Sequence, residues 1–225
     1  MKLADVFVFY DDVQFTSNTS KSFFPRVQLK TATGRKWLTV PVQKTGKFGQ
    51  KINEVEIVQD NKWQASHRGQ ILEALKKAPH LADIMPMVDE VTTQPWNSLA
   101  DLTMQTTMQI AKLLGITCKT YFASELGIGG SSSERVLNIC KHLGATKYLT
   151  AHGALNYLEH ELFDAAGIQV EYVEYDLSPY PQLHGEFNTY VTVLDLIANT
   201  GSDAPHHVQA STTPWQDMVA AESKS

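Results

Sequence analysis

The sequence predicts an α/β protein with a Rossmann-like, mostly parallel sheet flanked by helices and carrying a helical insertion. Three observations point there. From about residue 119 onward, short β-branched or aromatic runs alternate with segments of helical period, the spacing of right-handed parallel crossovers. Near the start, DVFVFY (residues 5–10) is a short apolar run of the kind that forms a buried strand. Between these regions, residues 63–115 hold helical segments in succession.

Each element has its own reason. WLTVPV (residues 37–42) reads as a strand with Pro41 at an edge. INEVEIV (52–58) alternates Val55 and Ile57 against Glu54 and Glu56, the pattern of a half-exposed strand. Ile71, Leu72 and Leu75 give residues 63–78 a helical period that Pro79 ends. Residues 81–91 form a second helical piece that Pro86 should interrupt. Residues 96–114 form a long helix closed by Gly115. SSSERVLNICKHLG presents Val136, Ile139, Cys140 and Leu143 on one face. KYLT, ALNYLEHELFDAAG, QVEYVEY and a helix around residues 190–199 complete the alternation. Residues 1–201 are expected to form one domain. Residues 202–225 lack an apolar period and are expected to form a flexible tail.

Composition narrows the class. The chain has 225 residues, 43% hydrophobic and 19% charged, with a net charge of −5, so a nucleic-acid partner is not expected. No apolar run approaches the length of a membrane span, and the N-terminus does not read as a signal peptide. Cys118 and Cys140 lack metal or redox spacing and read as reduced core thiols of a cytoplasmic protein.

In an open parallel sheet, ligands bind beyond the carboxyl ends of the strands, so four loops matter most. After DVFVFY come Asp11, Asp12, Gln14 and Phe15. The paired carboxylates would hold Mg²⁺ or act as a base, or else make an Asx turn. No other cofactor motif is legible. SELGIGGSSSER carries three glycines before Ser131, Ser132 and Ser133. Ser131 with Glu134 fits a capping box, and the same helix start offers N–H groups to an anion. It is neither a Walker A loop nor GxGxxG. His152, beside Gly153, sits at a strand tip as a candidate base, or as a water-facing cap. In SPYPQLHGEFN (178–188), Gln182, His184 and Glu186 supply hydrogen-bonding groups between Tyr180 and Phe187, a mixture that suits sugars and nucleobases. The plain alternative is a stiff loop with His184 bonded to backbone.

A basic segment contains Lys21, Arg26, Lys30, Arg35 and Lys36, interleaved with Phe23, Phe24 and Trp37. Arg26 is the natural fork for a phosphorylated small molecule. A solvated hairpin is the plain reading. Glu159 with His160, and His206 with His207, read as surface features.

ADVFVFYDDVQF, WLTVPVQKTG with INEVEI, SELGIGGSSSERVLNICKHLGATKYLT, ELFDAAGIQVEY and YPQLHGEF together resemble the WbqC-like family, from about Ala4 to Gly201. These are bacterial proteins often encoded among genes for O-antigen and other surface glycans. The resemblance implies a cytoplasmic transferase or modification step on an activated sugar or similar precursor, in lipopolysaccharide or related biosynthesis. It supplies no established catalytic residue. The matched stretches include residues 11–15, Arg26, Ser124 and Glu125, Glu134 and Arg135, and residues 181–186. Two departures stand out. Members usually carry a strand with a His-Gln-Pro element ahead of ADVFVF, and TAHGALNYL stands where a Ser-Gly pair is commoner. A fainter likeness to pantothenate synthetase and related nucleotidyltransferases also implies a Rossmann-like sheet.

Two readings follow. In the first, the protein is an enzyme. Its catalytic residues would be His184, Asp11, Asp12 and His152, with Asp11 and Asp12 as metal ligands. Gln14, Arg26, Ser124, Glu125, Ser131, Ser132, Ser133, Arg135, Gln182 and Glu186 would bind a phosphorylated small-molecule substrate. In the second, it is a ligand- or partner-binding protein derived from such an enzyme. The absent strand would leave an edge that another chain, including a second copy of this one, could cover.

Overall fold

The computed structural model describes residues 1–16, 24–60 and 62–222. In chain order the strands are β1 (Val6–Phe9), β2 (Arg26–Thr31), β3 (Gly34–Thr39), β4 (Lys119–Phe122), β5 (Lys147–Thr150), β6 (Gln169–Asp176) and β7 (Gln209–Pro214). The helices are α1 (Lys62–Leu75), α2 (Leu81–Thr93), α3 (Leu99–Leu113), α4 (Ser132–His142), α5 (His160–Ala165), α6 (Val193–Thr200), α7 (Ala204–His207) and α8 (Trp215–Glu222). The chain divides into two compact units. One comprises residues 1–10, 118–176 and 208–225; the other comprises 11–117 and 177–207.

The first unit is α/β. β1 pairs parallel with β4, and β5 pairs parallel with β6, as the alternation predicts. α4, α5 and β6 enclose a core of Leu137, Cys140, Leu158, Phe163, Val170 and Tyr172. Leu137, not only the predicted stripe, lies on the buried face of α4. Burial pushes the Cys140 thiol up to about 11, which keeps it protonated and inert. The expected flexible tail is corrected. Gln209–Pro214 pairs antiparallel with β6, and Trp215 stacks on His160 with ring centroids 4.6 Å apart. Backbone ladder bonds and one aromatic anchor order this segment, and an apolar-period search detects neither.

The second unit holds the antiparallel hairpin β2–β3 and helices α1, α2, α3 and α6. Phe15, Val55, Ile57, Trp63, Trp96, Leu99 and Leu102 form a core. Three expectations change here. Residues 52–58 do not form a strand. Ile52–Glu54 is a single 3-10 turn, and two isolated bridges carry the rest, Val42 to Ile57 and Glu56 to Ser98. The alternation is nonetheless real, because Val55 and Ile57 are buried while Glu54 and Glu56 are exposed. α2 runs through Pro86 without stopping. Burial of Ile84, Met87 and Val88 around it offsets the lost hydrogen bond, a cost of about 3 kcal/mol. The predicted strand at 37–42 is shifted to Gly34–Thr39, with Gly34 (φ 110°) closing the hairpin turn.

Candidate functional site

In the second unit, side chains alternate along the hairpin. Arg26, Gln28 and Lys30 share one face of β2 with Arg35, Trp37 and Thr39 of β3. Leu29 and Leu38 point the other way and are buried. Lys30 is buried too, and its ammonium donates to Gln182 Oε1 (2.8 Å), the Gly185 carbonyl (3.2 Å) and the Glu186 carbonyl (2.6 Å). All three of its protons are thus matched by acceptors from one loop.

Gln182 extends the network. Its Nε2 donates to Tyr180 Oη (2.9 Å) and to the Asn188 carbonyl (3.1 Å), and its Oε1 accepts from the Asn188 N–H (2.9 Å). Tyr180 Oη donates to Asp195 Oδ1 (2.9 Å). Asp195 is fully buried on α6, and its Oδ2 has no hydrogen-bond partner among the described residues. Burial raises the Asp195 carboxyl above the ordinary carboxylate range, against the opposing pull of Tyr180, Gln182 and the Lys30 charge. Burial and the Asp195 charge likewise push the Tyr180 phenol up.

His184 sits on this fixed loop. Its φ is +66° and that of Gly185 is +83°, the signs of a type I′ turn. Left-handed backbone at a β-unbranched but bulky residue is strain that the surrounding contacts must hold. Nε2 lies 2.7 Å from the Ala74 carbonyl. A carbonyl only accepts, so Nε2 carries the proton, and in the neutral ring Nδ1 presents a lone pair.

The acidic doublet lies elsewhere in this unit. Asp11 is buried; its Oδ2 accepts from Asn53 Nδ2 (3.3 Å) and its carbonyl from the Asn53 N–H (2.9 Å). Asp12 is half-buried, and Gln14 is exposed in an isolated bridge to Lys51. Among the described residues, no group of three or more His, Cys, Asp or Glu is arranged to hold a metal ion.

The first unit carries the remaining predicted residues. The capping box does not form, because the Ser131 side chain makes no cap hydrogen bond. Ser131 and Ser132 are exposed, and Ser132 has φ 48° at the start of α4. Ser133 is buried instead, and its hydroxyl accepts the Glu159 N–H (3.0 Å), tying the first turn of α4 to the start of α5. Arg135 Nε donates to the Ile128 carbonyl (3.0 Å), and its guanidinium lies 5.1 Å from the Tyr10 ring centroid. It therefore braces the glycine-rich turn. Ser124 and Glu125 lie exposed in a 3-10 turn after β4.

His152 is exposed just beyond β5, its ring edge-on to Tyr172 at 6.2 Å. His160, expected at the surface, is buried, and its Nε2 lies 2.7 Å from Tyr172 Oη. Desolvation lowers its pKa, so it packs as a neutral ring between Tyr172 and Trp215. His206 and His207 do share a surface feature, both bonding Asp203.

With this geometry in place, comparison with known families matches residues 1–207 to the WbqC-like protein family. The chain belongs to that family. It is similar to the uncharacterized protein Rv1507c of Mycobacterium tuberculosis, 30% identical over 207 residues that cover 91% of this chain and 88% of the relative. No solved structure matches.

In this WbqC-like chain, Lys30 holds Gln182 and the Gly185 and Glu186 carbonyls, so that the loop carrying His184 is fixed on β2 within the second unit, and Arg26 stands at the other end of the same hairpin face. Asp11 and Gln14 are held by the 50–53 segment of that unit, with Asp12 between them. Ser124, Glu125, Ser131, Ser132, Ser133, Arg135 and His152 belong to the first unit. Glu186 enters through its carbonyl, not its carboxylate. Sequence reasoning assigned no role at this cluster to Lys30 and passed over Asp195. The signals were there: Lys30 falls in register with Arg26 and Gln28, and Asp195 interrupts the apolar helix VLDLIA. Lys21 and Phe23 of the basic segment lie outside the described residues.

Proposed function

We propose that this protein is a transferase-type enzyme acting on a nucleotide- or phosphate-activated sugar or related small metabolite, in bacterial surface-glycan, O-antigen or lipopolysaccharide biosynthesis. In this reading the parallel pairs β1–β4 and β5–β6 belong to a Rossmann-like arrangement, and the protein works in the cytoplasm. The observation that carries the reading is His184. It stands in left-handed backbone on a loop fixed by buried side chains, with Nε2 donated to Ala74 O and Nδ1 presented for proton transfer. Catalytic bases are oriented by such a partner on the far nitrogen. Nδ1 would take the proton of an acceptor hydroxyl or amine as that group attacks the activated carbon, whose bond to the phosphate oxygen breaks and lets the nucleoside phosphate leave with the electron pair.

Considered within the first unit alone, the exposed Ser131 and Ser132 at the start of α4 would offer donors to a phosphate, with His152 a further candidate in that unit. Asp11 and Asp12 as Mg²⁺ ligands remain part of the proposal, with substrate phosphate completing the shell. The test is release of nucleoside phosphate from a panel of nucleotide sugars, with and without Mg²⁺. His184→Ala should lower turnover by roughly 10²–10⁴ with unchanged melting. A loss below threefold removes His184 from the chemistry.

One observation favours a second reading, a non-catalytic binding protein descended from such an enzyme. Lys30 and Gln182 direct their hydrogen-bonding groups into the loop itself. Binding of nucleotide sugars without turnover under any condition would select it.

A further inference from the structure

Residues 26–39 contain Arg26, Lys30, Arg35 and Lys36 and no acid, in a chain whose net charge is −5. Lys30 is held by the 182–186 loop, and the same face also carries the Arg26 and Arg35 guanidiniums. Arg26 pairs with Thr39 and Arg35 with Lys30, so their backbones stand four residues apart along the hairpin, about 14 Å at ordinary strand rise. Both side chains turn toward the middle of the hairpin. The Arg26 guanidinium lies 4.1 Å from the Trp37 ring centroid, and Arg35 Nη1 donates to Gln28 Oε1 at 3.1 Å. Gln28 and Trp37 are register partners midway between them. Two like charges therefore lean toward one central pair. Forked donors set around one central pair suit an anion that can receive both. Stacking on Trp37 also fixes the plane of one fork.

We propose that the Arg26, Gln28, Arg35 and Trp37 face of the hairpin is a binding site for a phosphoanhydride, the diphosphate of a nucleotide-linked metabolite. Two forks suit a group with two charged centres better than a single carboxylate, and each fork can hold phosphate oxygens bidentately. This deepens the transferase reading and rests on it, for the substrate class is the same and the hairpin adjoins the loop that carries His184.

The probes are inorganic pyrophosphate, UDP, uridine and a single-stranded oligonucleotide, titrated calorimetrically and by Trp37 emission, with Trp37→Phe as the control for the optical signal. Pyrophosphate and UDP should bind and uridine should not. Arg35→Ala and Arg26→Ala should each weaken binding about tenfold or more with unchanged melting, since a charge-assisted hydrogen bond is lost. Equal binding by wild type and both variants, no binding of either phosphate compound, or tighter binding of the oligonucleotide would each overturn the proposal. The two ideas fail separately. If Arg35→Ala loses pyrophosphate while His184→Ala keeps full turnover, the site stands and the role of His184 falls. If His184→Ala loses turnover while the arginine variants bind normally, the reverse holds.

Discussion

The loop after β4 and the loop after β6 both carry glycines and polar side chains, yet they use them in opposite directions. In residues 123–131 the turn is braced from outside by Arg135, and Ser131 and Ser132 face solvent. In residues 177–192 the polar groups turn inward, gripping Lys30 and reaching Asp195 through Tyr180. The difference comes from the partner element. A buried ammonium on β2 demands acceptors, because an unpaired charge in a low-dielectric interior costs several kcal/mol. The first loop is instead held at its Ile128 carbonyl by the Arg135 guanidinium. Polar cargo in a loop thus marks function directly only where no buried charge needs it.

Four substitutions sharpen or break this contrast. Lys30→Met should have the largest effect, about 3–5 kcal/mol in urea denaturation, because it strips the loop of its anchor and leaves Asp195 without the opposing charge. A loss below about 1 kcal/mol would mean that the loop holds itself. Ser133→Ala should cost about 1–2 kcal/mol by the same measurement, since it orphans the Glu159 N–H.

Asp195→Asn tests the buried carboxyl through pH. The folded carboxyl has a raised pKa, so it favours the folded state below the ordinary carboxylate range, and that contribution is lost as pH rises through the raised value. The stability of wild type minus that of the variant should therefore decline over that window. A flat difference would show that Asp195 titrates alike folded and unfolded. Ser131→Ala should be the smallest, under about 0.5 kcal/mol, whereas a serine that truly caps a helix contributes about 1 kcal/mol.

Much of the framework was legible. DVFVFY, KYLT and QVEYVEY are strands, and the crossovers between β1 and β4 and between β5 and β6 are parallel, because short β-branched runs and helical periods report local structure faithfully. The errors have specific causes. Val55 and Ile57 are buried by isolated bridges, so alternation reported burial without a ladder. The 209–214 strand is held by its backbone, which leaves little trace in side-chain pattern. Ser131 and Glu134 have capping-box spacing, but the unusual backbone at Ser132 prevents the side chain from closing it. At the candidate site, Gln182, His184 and Arg26 were readable as chemistry-bearing types. The placing of Gln182 and the His184 loop was not, because it depends on Lys30, 152 residues before Gln182 in the chain.

The most direct test of this account is amide hydrogen exchange at Asn188, whose N–H is bonded to Gln182 Oε1, in wild type and in Lys30→Met. The buried ammonium should protect that amide in the wild type, and its removal should speed exchange at least about tenfold. Unprotected exchange in the wild type, or the same rate in both proteins, would contradict a loop held in place by Lys30.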